Sequence, residues 1–244
     1  MKVKHVLRTI VVVAGLCIAL TAASQPPPDS TVYTTYFIDA AHTNVAWSTC
    51  GQVGGTGGCF NGGNLGPFGK IGALMEGKPK VDRSTNTVTR NIYVLDVAGG
   101  SNLDQVQLYV YTKIDAISSD FDGVTVTLSG TVELPLKGST LARASMAAND
   151  KFLFIGTNKN PDVVEVAKRT LAVTRIPGGF SPSINVNAIT ANQYGYVTAA
   201  FGSFDPNKNG REIIFNPAGQ AVGIGGGALF MLGTQQALLP STLH

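Results

Sequence analysis

The chain has 244 residues, of which 14% are charged, with 18 Lys and Arg residues against 15 Asp and Glu residues. Three of the basic residues (Lys2, Lys4 and Arg8) lie near the start, so residues 24–244 contain 15 basic and 15 acidic side chains. A nucleic-acid-binding protein normally has a basic excess, and the balance beyond residue 23 argues against that class.

The N-terminus has the pattern of an export signal. The basic start is followed by an uncharged apolar run, Thr9–Leu20, and then by small residues. A run of about a dozen apolar residues between these two features is typical of a cleavable secretory signal, and it is shorter than a membrane span. The sequence predicts a signal peptide over 1–23, a proline-rich linker over 24–31 and a single domain over 32–244. We expect an exported protein, periplasmic or extracellular, with no integral membrane segment after cleavage.

Two cysteines, Cys50 and Cys59, follow the predicted signal and flank a glycine-rich segment. In an exported protein such a pair predicts a disulfide. The chain-entropy argument gives it about 2.7 kcal/mol for a loop of about ten residues. A zinc site that adds His42 as a third ligand is the alternative, but it lacks a fourth ligand, and we favour the disulfide.

Strand signals dominate the rest of the chain. Period-two alternation along Val106–Asp115 and Val124–Leu136 predicts two half-buried strands, and an Asp-Gly turn signal between them predicts an antiparallel hairpin. Tyr109 and Tyr111 fall on its polar face and are candidates for a face that binds a sugar or a protein. Cross-strand pairing without a ligand is the interpretation that we favour.

Three short segments are apolar at every position or nearly so: Ile92–Leu95, Phe152–Ile155 and Ile213–Phe215. A strand of this kind has to be covered on both faces. The sequence therefore predicts several sheets packed one on another.

An internal repeat supports this arrangement. Ala148–Ile155 recurs loosely 43 residues later as Ala191–Thr198, and each copy reads as a turn followed by a short apolar strand. A period of about 40–45 residues with several strands in each unit is typical of β-propellers.

Three further segments follow the same order as a known repeat: Asp162–Val166, Val173–Gly179 with its Ile-Pro-Gly-Gly step, and Tyr196–Thr198. Over residues 148–201 the chain resembles one repeat of the YVTN-type β-propellers, a family whose members often lie at cell surfaces. The repeat and the resemblance together predict an all-β, propeller-like domain of about five four-stranded antiparallel blades, either closed or divergent and incomplete.

One segment has the beginning of a calcium loop. Asp205, Asn207 and Asn209 place oxygen ligands at alternate positions before Gly210, but no acid closes the loop in register. A hairpin loop is the favoured interpretation, and no other cofactor is predicted.

Two hypotheses for function remain. The first is a non-enzymatic scaffold that binds a protein or glycan at the cell surface, since no nucleophile motif is present. The alternative is a secreted hydrolase or lactonase-like enzyme in which Asp39, Glu76 or Asp96 holds a metal near the channel of the propeller. Convergence of three or more acids or histidines would favour the enzyme, and inner strands rich in Gly, Ala and Ser would favour the scaffold.

Overall fold

The structure is a computed structural model that describes residues 31–53, 56–82, 84–85, 87–100, 105–116, 124–160, 162–176, 185–202 and 211–226. The predicted signal peptide and all but the last residue of the linker lie outside these ranges. Within them the regular elements are β-strands, and no stretch forms a helix that could cross a membrane.

The strands of the described residues are numbered in chain order: β1 Thr31–Ile38, β2 Val45–Val53, β3 Thr56–Leu65, β4 Ile71–Glu76, β5 Lys80–Asp82, β6 Thr87–Asp96, β7 Gln105–Ala116, β8 Val124–Lys137, β9 Ala144–Ala148, β10 Phe152–Thr157, β11 Val163–Ala167, β12 Val173–Ile176, β13 Asn185–Ala191, β14 Val197–Gly202, β15 Arg211–Phe215 and β16 Ala221–Gly226.

These strands form antiparallel sheets in which consecutive strands are neighbours, except that β4 pairs with β6 and not with β5. The first sheet is β1-β2-β3, and the second is β4-β6-β7-β8 with β5 also paired to β6. The third sheet is β9 to β12 and the fourth is β13 to β16. The predicted all-β, propeller-like class with four-stranded antiparallel sheets is confirmed. The described residues form four sheets, where about five blades are predicted.

The 43-residue repeat corresponds to the step from the third sheet to the fourth. In both sheets the first strand ends in a turn that an asparagine stabilises, Asn149 in the third sheet and Asn192 in the fourth. The side-chain oxygen of each asparagine accepts hydrogen bonds from backbone N–H groups two to four residues ahead. Phe152–Ile155 lies in β10 and Val197–Thr198 lies in β14, so both copies lead into the second strand of their sheet. The repeat therefore marks equivalent positions in neighbouring sheets.

Strand β6 shows how the sheets pack. Ile92 and Val94 are buried in the layer between the first and second sheets, whereas Tyr93 and Leu95 are buried in the layer between the second and third. Successive side chains of a strand point to opposite faces, so a strand that is apolar throughout joins two layers. The prediction that Ile92–Leu95 is covered on both faces is confirmed.

Strand β10 repeats this arrangement one sheet further on. Leu153 and Ile155 face the second sheet, and Phe154 faces the fourth. In β15, by contrast, only Ile213 and Phe215 are buried, and Ile214 is exposed. The prediction of two-sided cover was wrong for Ile214, because no further sheet of the described residues packs on that face.

The β7–β8 hairpin is confirmed, with Val124 opposite Asp115 and a bulge beside Val110. Tyr109 and Tyr111 fall on the face of the hairpin that the sequence predicted to be polar, but this face is partly covered in the structure. Both rings are half-buried in the layer between the first and second sheets and meet Phe68 edge to face, with centroids 5.1 and 6.5 Å from its ring. They pack against the first sheet and do not form an exposed binding face.

Cys50 and Cys59 lie directly opposite each other on β2 and β3 and form the predicted disulfide. Because both sulfur atoms are in the disulfide, these cysteines have no free thiolate with which to bind zinc.

The sequence also predicts that residues 32–38 pair with residues 228–232 to close a ring of sheets. The second segment lies outside the described residues, so closure of the ring stays a prediction.

The stacked layers lead to a stability test. Leu153 is fully buried between the second and third sheets, and Leu153→Ala leaves a cavity that we expect to lower the free energy of unfolding by about 2–5 kcal/mol. Leu141→Ala is the matched control, because Leu141 is 81% exposed, and it should change stability by less than about 0.5 kcal/mol. Urea unfolding followed by the fluorescence of Trp47, the only tryptophan, measures both. Equal effects would contradict the layered core.

Candidate functional site

The first strands of the second, third and fourth sheets converge. β4 contacts β9, and β9 contacts β13. Near the ends of these strands lies a groove with a volume of about 1180 Å³, and Glu76, Ala148 and Gln193 are among its lining residues. We call it the basic groove, for the charges described below. Its two walls are the β4–β5 segment of the second sheet and the strand-connecting turns of the third.

The turn between β9 and β10 sets the position of Lys151. Asn149 Oδ1 accepts the backbone N–H groups of Lys151 (2.9 Å) and Phe152 (2.8 Å), and the Asn149 N–H donates to Phe152 O (3.1 Å). An asparagine at such a turn takes the place of a backbone acceptor. Lys151 is thereby held at the tip of the turn, at the edge of the groove.

The turn between β11 and β12 brings Lys168 beside it. The Lys168 N–H donates to Lys151 O (2.9 Å), and the Lys168 ammonium donates to Asn149 O. The ammonium also lies 5.8 Å from the centroid of the Tyr93 ring, which is buried at the base of the groove. Burial lowers the pKa of Lys168 from its usual value, and the nearby Asp150 carboxylate opposes this shift.

The groove has an excess of positive charge. Its lining includes two acidic residues, Glu76 and Asp150, and five basic ones: Lys78, Lys80, Lys151, Lys168 and Arg169. The net formal charge of +3 contrasts with the exact balance of residues 24–244. The positive charge is thus concentrated in the groove, and the net charge of residues 24–244 as a whole does not show it.

Both groove acids already have basic partners. Asp150 lies 3.8 Å from Lys78 in an exposed pair, which contributes about 0–1 kcal/mol. Glu76 lies 3.7 Å from Arg90. The remaining groove cations form no ion pair within the described residues: Lys80, Lys151, Lys168 and Arg169.

Glu76 belongs to a network that joins the first sheet to the second. The Tyr36 hydroxyl donates to Glu76 Oε1 (2.9 Å), and Arg90 Nη1 donates to Asp115 Oδ2 (2.8 Å). Asp115 also pairs with Lys113, whose buried ammonium lies 5.6 Å from the Trp47 ring centroid. Burial and the Glu76 charge raise the pKa of Tyr36, and burial lowers that of Lys113. Glu76 is therefore engaged with the inter-sheet network.

Asp39 stabilises the turn between β1 and β2. Its carboxylate accepts hydrogen bonds from the Thr43 N–H (2.6 Å), the Thr43 hydroxyl (3.0 Å) and the Asn44 amide (2.8 Å). These bonds, the Asn44 side chain first, hold the pKa of Asp39 well below its usual value. The exposed His42 imidazole instead has its Nδ1 3.4 Å from Ile71 O, so Asp39 does not orient it as a catalytic partner.

Asp96 joins the loop before β4 to the loop after β6. It is 1% exposed, and it accepts hydrogen bonds from the N–H groups of Gly69 (2.7 Å), Lys70 (2.8 Å) and Ala98 (3.0 Å). Its lone pairs are directed at backbone donors and not toward a cavity. Asp96 therefore has a structural role in holding these loops together.

The three predicted acids do not converge. In the second sheet Asp96 pairs with Ile71 at one end of β4, and Glu76 pairs with Ile92 at the other end. Among the described residues no three His, Cys, Asp or Glu side chains are grouped closely enough to hold a metal ion. The candidate calcium ligands Asp205, Asn207 and Asn209 lie outside the described residues, and that site stays a prediction.

The basic groove itself was missed by the sequence analysis. Its cations are separated along the chain, from Lys78 to Arg169, so no local run of charge reveals them. A signal was nevertheless present. In an up-and-down sheet the first and third connections lie at the same end, and here these connections contain Lys151 and the Lys168-Arg169 pair.

Comparison with known proteins identifies no family. No protein-family model matches the chain, and no curated protein matches it. Similar solved structures include the WD40 domain of SCAP from fission yeast, with 8% identity and a TM-score of 0.46 over 82% of this chain and 45% of that one. Prolyl oligopeptidase B from Galerina marginata has 13% identity and a TM-score of 0.37 over 79% of this chain and 25% of that one.

A third similar structure is apo AztD from Citrobacter koseri, with 11% identity and a TM-score of 0.37 over 79% of this chain and 58% of that one. The chain spans less than half the length of the first two structures. The YVTN-type family is not confirmed by these matches.

The structural role assigned to Asp96 can be tested by removing its carboxylate. Asp96→Ala leaves three backbone N–H groups without their acceptor; that of Ala98 is buried, and an unsatisfied buried donor costs about 1–3 kcal/mol. We expect a loss of at least about 1 kcal/mol in urea unfolding. Asp150→Ala is the control, because that side chain is 70% exposed, and it should have little effect. Unchanged stability in Asp96→Ala would make Asp96 a candidate catalytic acid again.

Proposed function

We propose that the protein is an exported, non-enzymatic propeller-like scaffold that binds an anionic protein or glycan in the basic groove. The observation that carries this proposal is the net charge of +3 on the groove lining of a chain that is balanced from residue 24 onward. A concave surface with one sign of charge raises the local concentration of ligands of the opposite sign.

The inner strands favour a scaffold over an enzyme. β9 is Ala-Ser-Met-Ala-Ala and carries mostly small side chains, whereas β4 is Ile-Gly-Ala-Leu-Met-Glu and has small residues only at Gly72 and Ala73. The acids of the alternative hypothesis are occupied elsewhere: Asp39 and Asp96 by loop donors, and Glu76 by Tyr36 and Arg90. Small inner residues are what the sequence analysis gave as the mark of the scaffold.

The proposal also covers the compartment in which the protein acts and the repeat family to which its sheets belong. The Cys50–Cys59 disulfide is compatible with an oxidising compartment, and the pattern of residues 1–23 supports export to the periplasm or the cell surface. We take 32–244 as one domain, in which the third and fourth sheets are divergent YVTN-type repeats. The motif over 148–201 supports this relationship.

Charge reversal in the groove tests the proposal. We expect the wild-type protein to bind at least one of two immobilised polyanions, polygalacturonate and poly-L-glutamate. The double variant Lys80→Glu/Lys151→Glu should bind about tenfold more weakly or worse, because two attractive charges become repulsive. Biolayer interferometry at several salt concentrations measures this change.

A matched control removes the effect of net charge. Lys137→Glu/Lys159→Glu makes the same charge change at exposed lysines on β8 and on the turn after β10, away from the groove. It should keep affinity within about twofold. Equal losses in both double variants, or no binding of either polyanion by the wild type, would contradict the proposed function.

A further inference from the structure

We propose that the ligand of the basic groove is an anionic polysaccharide, a sugar chain with repeated carboxylate or sulfate groups. This inference rests on the proposed function and specifies the ligand class. It depends on where the cations of the groove lie, on which neutral groups accompany them, and on an exposed aromatic residue beside the groove.

The cations lie on both walls of the groove. Lys78 and Lys80 belong to the second sheet, and Lys151, Lys168 and Arg169 belong to the turns of the third. A volume of about 1180 Å³ exceeds the 300–1,000 Å³ of ordinary small-molecule pockets. A ligand with anionic groups repeated along its length can contact both walls at once. Arg169 adds a planar guanidinium, which can bind a carboxylate or a sulfate through two parallel hydrogen bonds.

Neutral hydrogen-bonding groups line the groove together with these charges. Thr89, Asn91, Thr170 and Gln193 line the groove, and hydroxyl and amide groups both donate and accept hydrogen bonds. The hydroxyl groups of a sugar chain need partners of both kinds. An acidic peptide has few such groups outside its backbone.

The base of the groove is partly apolar. Tyr93 is 2% exposed and lies beneath the Lys168 ammonium, and Phe152 is half-buried against the core. Met75 and Pro79 also line the groove. The charges and the hydrogen-bonding groups of the groove, and not its base, therefore specify the ligand class.

An exposed aromatic residue, Tyr194, follows the groove-lining residue Gln193. It is 69% exposed and lies in a turn where Asn192 Oδ1 accepts the Tyr194 N–H at 3.0 Å. A Cβ placed on Gly195 would lie 3.9 Å from Asn149 Nδ2, so this turn adjoins the Asn149 turn of the groove. The phenol ring has an apolar face that a pyranose ring can stack on and a hydroxyl group that remains in water.

Four polymers of similar length test the ligand class: polygalacturonate, dextran sulfate, neutral dextran and poly-L-glutamate. The full-length mature chain should bind polygalacturonate, dextran sulfate or both at least about tenfold more tightly than poly-L-glutamate at about 150 mM salt, and should not bind dextran. Binding of only one anionic polysaccharide supports the proposal and identifies the carboxylate or the sulfate as the group recognised.

Variants of Tyr194 separate stacking from charge. Tyr194→Ala should weaken polysaccharide binding about three- to tenfold, and Tyr194→Phe, which keeps the ring, should retain it. Any residual binding of poly-L-glutamate should be the same in both variants. Equal losses in Tyr194→Phe and Tyr194→Ala, or no loss in either, would overturn the stacking role.

The outcomes also separate the two proposals. Preferred binding of poly-L-glutamate would overturn the polysaccharide assignment and leave the proposed function intact, with an acidic protein as the partner. Binding of dextran as tight as that of dextran sulfate would overturn the role of charge. Failure to bind any of the polyanions would overturn both proposals.

Discussion

The burial of both faces of strands β6 and β10 is the constraint on which the rest of the structure depends. Each strand sends alternate side chains into two different layers, so Tyr93 and Leu153 meet in one layer while Val94 and Phe154 enter the layers on either side. A strand of this composition is stable only between two other sheets. The order of the sheets in space therefore follows from apolar alternation within single strands.

This packing leaves the ends of the sheets for polar residues. Side chains along the strands are committed to the layers, including the buried Lys113 and Asp115 between the first and second sheets. At one end the segments that connect the strands, together with the short strand β5, carry the groove cations. At the other end Asp39 and Asp96 accept hydrogen bonds from backbone N–H groups. The acids at that end are thus used for local stability.

Local patterns in the sequence were sufficient to predict several of the strands, the β7–β8 hairpin, the disulfide and the equivalence of the third and fourth sheets. Each depends on residues close in sequence: period-two alternation, an even cysteine pair, and an asparagine turn repeated after 43 residues. The position of Tyr109 was beyond such patterns, because Phe68 and the first sheet cover it. The role of Asp96 likewise depends on backbone donors 26 and 27 residues away. The groove joins turns from several sheets, which no local pattern reveals.

Hydrogen exchange with mass spectrometry tests the central claim, that ligands are bound where the basic turns meet. Deuterium uptake is compared in the free protein and in the protein saturated with polygalacturonate. The account predicts protection over residues 76–80, 149–152 and 167–170, with uptake unchanged over 39–44 and 66–70, the loops that contain Asp39 or contact Asp96. Protection confined to those two loops, or spread evenly over the chain, would contradict it.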